Sequence, residues 1–293
     1  MKDLIYKIQY LIFRIFKSFF LLLPEKARFS VGEKIAILGY YLIRSRRVTT
    51  LINLGMAFPE KTIKERKRIA KESYKTMGKA FLGTIWLEEY MKNEDNFHVH
   101  NFKMLEDEAS KSLVVFATMH FGNMESLLKY SQQFPYVTVA KKQRNPYLNR
   151  YISDNRKHLN IILIEKSKKT SRELFKYAEE GRNIALFSDH RDKGADVEFF
   201  GMNTVSPTGA ATLAIRYNRP LILGYCLFNK DNTTEVFLEK IEIENNKDKS
   251  LKENVHITTQ RLISRMEDII ADNPEQWLWM HDRWKLYRNR KKK

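Results

Sequence analysis

The chain has 293 residues, 43% hydrophobic and 30% charged, a composition that excludes intrinsic disorder and leaves room for one large core or two small ones. Its 52 Lys and Arg against 35 Asp and Glu give a formal net charge of +17. That calls for an anionic partner and is met equally by nucleic acid, an anionic membrane or an acidic carrier protein. Cys226 is the only cysteine, so no intramolecular disulfide and no cysteine-clustered zinc or iron–sulfur site can form.

Residues 4–23 are rich in Leu, Ile, Phe and Tyr and stop at Pro24. Lys7, Arg14 and Lys17 interrupt the run, so it is not a clean transmembrane span. No small-residue cleavage site follows it, so it is not a typical signal peptide. At about 100° per residue, Asp3, Lys7, Arg14, Lys17 and Ser18 share one arc of roughly 100°. The rest of the circumference is mostly apolar, with Gln9 the exception. Such a helix fits a segment lying among lipid headgroups with its cations toward phosphates. A helix docked on the protein's own core and a tilted single span are the alternatives.

Residues 26–92 read as helical. Ile35–Ile43 is an apolar stretch closed by Arg44, Arg46 and Arg47, and Thr62 with Glu65 forms a capping box ahead of Ile69, Met77, Phe81 and Ile85 at helical spacing. From about residue 113 short apolar strands alternate with helices: strands at 113–118, 137–140, 161–164, 184–187, 221–228 and 235–243, and helices from Asn123, over 170–180, 210–217 and 251–271. Gly181 closes the helix at 170–180, and Cys226 sits as a core thiol in the strand at 221–228. The alternation predicts an α/β fold, a mostly parallel central sheet flanked by helices. We assign residues 1–24 to a helical membrane-associating extension, 25–284 to a single domain and 285–293 to an exposed basic tail.

The strand at 113–118 runs into Met119-His120-Phe121-Gly122-Asn123-Met124-Glu125. Ligands of open α/β sheets bind beyond the carboxyl ends of strands, which is where His120 falls. Gly122 permits a sharp turn, Asn123 is placed to cap the next helix, and Glu125 falls in its first turn, close enough to point back. A carboxylate on one imidazole nitrogen fixes the tautomer and stabilises the cation formed when the other nitrogen takes a proton. A His120/Glu125 pair of this kind can deprotonate an alcohol, a step worth about 10²- to 10⁴-fold in rate. On spacing alone, a histidine satisfied at a helix N-terminus fits equally well. A metal site fits worse, since His-Glu-x-x-His is absent and no second His lies within a helical turn of His120.

The order His-x-x-x-x-Glu after an apolar strand resembles the first motif of glycerolipid and lysophospholipid acyltransferases. His120-Phe121-Gly122-Asn123-Met124-Glu125 is similar to the His-x-Gly-Asn-Trp-Glu form of the bacterial lipid A biosynthesis (lauroyl/myristoyl) acyltransferases, with Met124 in place of Trp. Further matches follow in that family's order. Asn53-Leu54 with Phe58-Pro59-Glu60 resembles its helical region. Asn145-Pro146, Leu148 and Arg156 resemble the arginine block, although only the first Arg of Arg-x-Arg-x-Gly is kept in Arg156-Lys157-His158-Leu159-Asn160. Asp189 matches the Asp of Asp-Gln, with His190 for Gln, and Phe199-Phe200-Gly201 with Thr208-Gly209-Ala210 matches the next block. Pro274 to Lys285 is similar to the C-terminal signature almost throughout, so the resemblance runs from about Asn53 to Lys285.

The resemblance implies a glycerolipid acyltransferase-like fold and transfer of an acyl chain from acyl-acyl carrier protein to a hydroxyl of a lipid A precursor. It places the protein on the cytoplasmic face of the cell inner membrane. His120 would be the general base oriented by Glu125, with Gly122, Asn123, Arg156 and Asp189 on the substrate side. Acyl carrier protein, anionic membrane lipids and a glycolipid acceptor would be the partners, with no metal and no cofactor. The alternative is the same chemistry on a lysophospholipid or another glycolipid. Arg156 offers a rigid fork of donors for a phosphate or a developing oxyanion. Asp189 either orients Arg156 or the acceptor sugar, or pairs with Arg191. Trp277, Trp279 and Trp284 read as packing between the last helix and the sheet rather than ligand contacts, with a place at the membrane interface as the alternative, and His281 reads as a core or capping residue rather than a second catalytic His. A nucleic-acid-binding protein finds no helix-turn-helix, RNA-recognition or zinc signature here. A non-catalytic membrane scaffold is the remaining competitor.

Overall fold

The computed structural model describes residues 2–286, so all but the first two residues of the expected basic tail lie outside the described residues. Helices open the chain: α1 (Lys2–Leu21), α2 (Glu25–Leu42), α3 (Arg44–Ala57), α4 (Ile63–Gly83) and α5 (Leu87–Lys92). Strands and helices then alternate through β1 (Phe97–His100), α6 (Phe102–Lys111), β2 (Val115–Thr118), a 3-10 helix (Met124–Ser131), β3 (Tyr136–Ala140), α7 (Pro146–His158), β4 (Ile161–Glu165), α8 (Thr170–Glu179) and β5 (Asn183–Phe187). The hairpin β6 (Ala195–Phe199) and β7 (Met202–Ser206), then α9 (Gly209–Arg216), β8 (Leu221–Phe228), β9 (Thr234–Ile241) and α10 (Leu251–Asp272) complete the order.

The main sheet has seven strands in the order β1-β9-β8-β2-β5-β3-β4. Neighbours are parallel except β8 and β9, which a tight polar turn joins as an antiparallel pair. The expected α/β fold with a mostly parallel sheet is what forms. Val115 and Ala117 of β2, Ile184 of β5 and Leu221 to Leu223 of β8 are fully buried, as strands covered on both faces require. The Thr62/Glu65 capping box opens α4, burying Ile69 and Met77 while Phe81 faces out.

Four departures from the sequence pattern have local causes. The segment after Asn123 is a 3-10 helix, not an α-helix. β1 is only four residues, Phe-His-Val-His, too short and polar to stand out. The hairpin β6–β7 turns Thr204 and Ser206 inward, which masks the usual alternation of apolar and polar residues. α7 buries no side chain fully, and its apolar residues Tyr147, Leu148, Tyr151 and Ile152 give way to a polar second half, which hides the helix from a reading of apolar spacing.

In the N-terminal helix the departure from expectation is confined to the polar arc. No helix among the described residues is long and apolar enough to cross a membrane. α1 lies against α7, and its polar arc divides. Asp3 and Lys17 turn to α7, bonding Tyr147 and Tyr151, while Lys7, Arg14 and Ser18 stay exposed beside them. The opposite face, including Leu4, Ile8, Leu11, Ile12, Ile15 and Phe19, is exposed, and Ile35, Leu38 and Leu42 of α2 are exposed as well.

Candidate active site

β2 and β5 are parallel neighbours with Thr118 opposite Phe187, and the Ser188 amide donates to the Thr118 carbonyl at 2.9 Å. His120 and Asp189 each lie two residues past that matched pair, so the strand register sets them side by side. The Asp189 carboxylate meets His120 twice: Oδ1 is 3.0 Å from Nδ1, and Oδ2 accepts the His120 amide at 2.9 Å. Trp277 Nε1 donates to the same Oδ2 at 2.8 Å. Asp189 is buried, whereas 27% of the His120 side chain remains exposed, enough to meet a substrate. Phe187 stacks against the imidazole with ring centres 4.2 Å apart.

The electrostatics follow from burial and pairing. Burial would raise the Asp189 pKa, but the adjacent His120 outweighs it and holds the carboxyl well below the usual range, so Asp189 is ionised. Burial would lower the His120 pKa, but the Asp189 charge and hydrogen bond, with Glu125 behind them, raise it above the ordinary imidazole value. An Asp189 carboxylate accepting from Nδ1–H leaves Nε2 as the basic nitrogen.

This arrangement corrects the expected pairing. The carboxylate on the His120 ring is Asp189, not Glu125, and Asp189 neither orients Arg156 nor pairs with Arg191. Glu125 instead accepts from Arg156 Nη2 at 2.6 Å, joining the 3-10 helix to α7. The physical reason lies in the backbone. Glu125 enters a 3-10 turn that directs it toward α7, while the strand register delivers Asp189 to the ring.

Gly122 has φ of +53°, and a Cβ there would come 1.8 Å from the Cys226 carbonyl oxygen, so only glycine fits this turn. Asn123 does not cap the following helix. It is buried and donates to Thr234 Oγ1 at 3.0 Å, tying the loop to β9. The segment after α10 fastens the other side: the Gly122 amide donates to the Gln276 carbonyl at 2.8 Å and the Leu278 amide to the His120 carbonyl at 3.0 Å. Trp277, Trp279 and Trp284 are buried, in keeping with packing. Trp277 is nevertheless a site residue that the sequence reading missed, and the signal available was an indole N–H needing a partner wherever it is buried. Asn53 holds this segment by donating to the Trp279 and His281 carbonyls at 2.8 and 2.6 Å. His281 Nε2 accepts the Arg191 amide at 3.2 Å, and burial pushes its pKa down to about 4. Burial also lowers the His190 pKa. Among the described residues no cluster of three or more His, Cys, Asp or Glu is arranged to hold a metal ion.

Beside the His120 loop an apolar cavity of about 200 Å³ lies between the sheet and the 3-10 helix. Phe116, Thr118, Ala185 and Phe187 form part of its floor, Leu127 and Leu128 its roof, and Ile152 of α7 one side. Glu125 and Arg156 are its charged wall. Phe187, which stacks on His120, separates the imidazole from this cavity, and its apolar walls with a carboxylate and a guanidinium on one side suit a hydrocarbon chain with a polar end.

A family model described as bacterial lipid A biosynthesis acyltransferase matches residues 2–286. Comparison with curated proteins returns no match.

Proposed function

Since the chain belongs to the bacterial lipid A biosynthesis acyltransferase family and is an acyltransferase, we propose that it moves an acyl chain from acyl-acyl carrier protein to a hydroxyl of a lipid A precursor, with His120 as general base. His120 Nε2 takes the proton from the acceptor hydroxyl as its oxygen attacks the thioester carbonyl carbon. Collapse of the tetrahedral intermediate breaks the C–S bond, and the departing sulfur takes the proton back from the imidazolium. The products are an ester and the free carrier thiol, with no acylated residue on the enzyme. The ionised Asp189 holds the tautomer and stabilises the transient imidazolium. Glu125 adds negative charge near the ring, and Arg156 offers its remaining N–H groups to the carbonyl oxygen as charge develops there.

The observation that carries this reading is the His120–Asp189 pair set beside an apolar cavity. Residues outside the site are consistent with it. The exposed apolar faces of α1 and α2, bordered by Lys7 and Arg14, fit a helix lying in the interface of an anionic membrane, where a lipid acceptor is found. The proposed acyl carrier protein donor would put that surface on the cytoplasmic face of the inner membrane, and the net positive charge suits both an acidic carrier protein and a phosphorylated glycolipid. The test is His120→Ala compared with the parent by mass spectrometry of lipid A from cells lacking the chromosomal copy. The variant should leave one acyl chain of lipid A missing while remaining membrane-bound, since a general base is worth about 10²- to 10⁴-fold. Restoration of the parent lipid profile by His120→Ala would refute the base. A change confined to phospholipids would move the assignment to a lysophospholipid acceptor, the alternative that the loss of the second arginine at His158 leaves open.

A further inference from the structure

α7 brings Ile152 and Arg156 to the cavity, yet none of its own side chains is buried. A helix of this length owes most of its stability to packing, and α7 is held on one side by β4, where Asn149 donates to Glu165 at 2.8 Å, and on another by α1. Asn145, which caps α7, donates to the Tyr6 carbonyl at 2.9 Å and to Gln9 Oε1 at 3.2 Å. Tyr147 donates to the Asp3 carboxylate at 2.9 Å and stacks on Tyr10 with ring centres 6.0 Å apart. Phe13 meets Tyr151 edge-on at 5.2 Å. Lys17 donates to the Tyr151 hydroxyl at 2.5 Å and lies 4.9 Å from the centre of its ring.

Besides Gln9, the residues of α1 that face α7 are Asp3, Tyr6, Tyr10, Phe13 and Lys17, at alternating intervals of three and four. That is the stripe one helix presents along another. It is also the opposite face from the exposed apolar one, so α1 has two separate surfaces. Tyr151 precedes Arg156 by about 7.5 Å of helix rise, and Arg156 then reaches across to Glu125 at 2.6 Å.

We propose that α1 is a positioning element for acyl transfer, its inner stripe holding α7 so that Arg156 meets Glu125 at the cavity wall. This rests on the reading of Arg156 and Glu125 as site residues. In consequence the helix that meets the membrane and the wall that holds Arg156 move as one unit. An enzyme seated on lipid carries its arginine already in place.

The test uses the full chain with lauroyl-acyl carrier protein and detergent-dispersed lipid A precursor. Binding is followed separately by flotation with phosphatidylglycerol-containing vesicles. Phe13→Ala with Tyr151→Ala should float like the parent, because the outer face is untouched, and should melt near the parent temperature. Its kcat should fall about 10- to 100-fold, the cost of a misplaced site group, with little change in KM for the donor. Added to Arg156→Ala, the pair should cost almost nothing more, because both remove the same positioned guanidinium. Tyr151→Phe, which keeps the ring, should restore most of the turnover. Lys17→Met, a milder change that leaves both aromatic rings in place, should lower kcat in the same direction by less.

Parental kcat in Phe13→Ala/Tyr151→Ala, or a loss that multiplies independently with that of Arg156→Ala, would overturn the positioning role. Parental kcat in Arg156→Ala alone would instead overturn the reading of the site, and the strut with it. Loss of flotation in the inner-stripe variant would show that the two faces of α1 are not separable and would refute the assignment of distinct surfaces.

Discussion

α7 lines the cavity and His120 lies next to it behind Phe187, and the two are held in different ways. The histidine is set by the register of two central strands, its buried carboxylate partner is shared with the Trp277 indole, and its loop is tied by backbone hydrogen bonds to the segment after α10. α7 carries Arg156 with no buried side chain, held between the edge strand β4 and α1 through contacts that are mostly part-exposed. The contrast separates two kinds of accuracy. The His120–Asp189 pair is set by the register of the core sheet, whereas on our proposal the Arg156 guanidinium is placed nearer the surface, where it should be disturbed without unfolding the chain.

Asp189→Asn should break the first arrangement most sharply. It keeps the shape but removes the charge that fixes the tautomer, and kcat should fall about 10²- to 10⁴-fold. The pH profile gives the sign. A base works only when neutral, so activity rises with pH through its pKa. Asp189 raises the His120 pKa, which puts the ascending limb above the ordinary imidazole value of about 6.5. In Asp189→Asn that limb should move to lower pH. A limb that stays in place would mean that another group titrates.

Glu125→Ala should have a smaller effect, because Glu125 touches Arg156 and reaches His120 only through its field. We expect a loss of about tenfold to a hundredfold in kcat, a slight downward shift of the same limb, and a melting temperature within a few degrees of the parent. Turnover equal to the parent would remove Glu125 from the site.

The third test sharpens the other side of the comparison. Ile8→Ser, Ile12→Ser and Phe19→Ser together strip apolar area from the outer face of α1, where these side chains are 49%, 60% and 68% exposed. Burying such a side chain in an apolar phase is worth on the order of 1–2 kcal/mol, so vesicle partitioning should drop at least tenfold. Flotation equal to that of the parent would show that the membrane contact lies elsewhere.

Much of the strand and helix alternation was legible because buried parallel strands are nearly continuous apolar runs, and Leu221–Phe228 shows this best. The capping box at Thr62 and Glu65 was legible because it is a local hydrogen-bond pattern. His120 stood out by its place after a strand. Its true partner did not, because Asp189 is distant in sequence and meets it only when β2 and β5 pair. Spacing favoured Glu125, a near neighbour on an assumed α-helix, and the 3-10 turn sent that side chain toward α7. The polar arc of α1 was visible, but whether it faced lipid or protein was not a property of the helix alone.

From its residues alone, this chain determines a basic, single-cysteine α/β protein with a histidine at a strand end, a glycine where the loop must turn and an amphipathic first helix, because composition, periodicity and local turn chemistry are carried within short stretches. Tertiary structure alone decided which carboxylate serves the histidine, that Trp277 steadies that carboxylate and that the polar side of α1 braces the helix bearing Arg156. Those are contacts between segments remote in sequence, and strand register and helix packing bring them together only once the chain has folded.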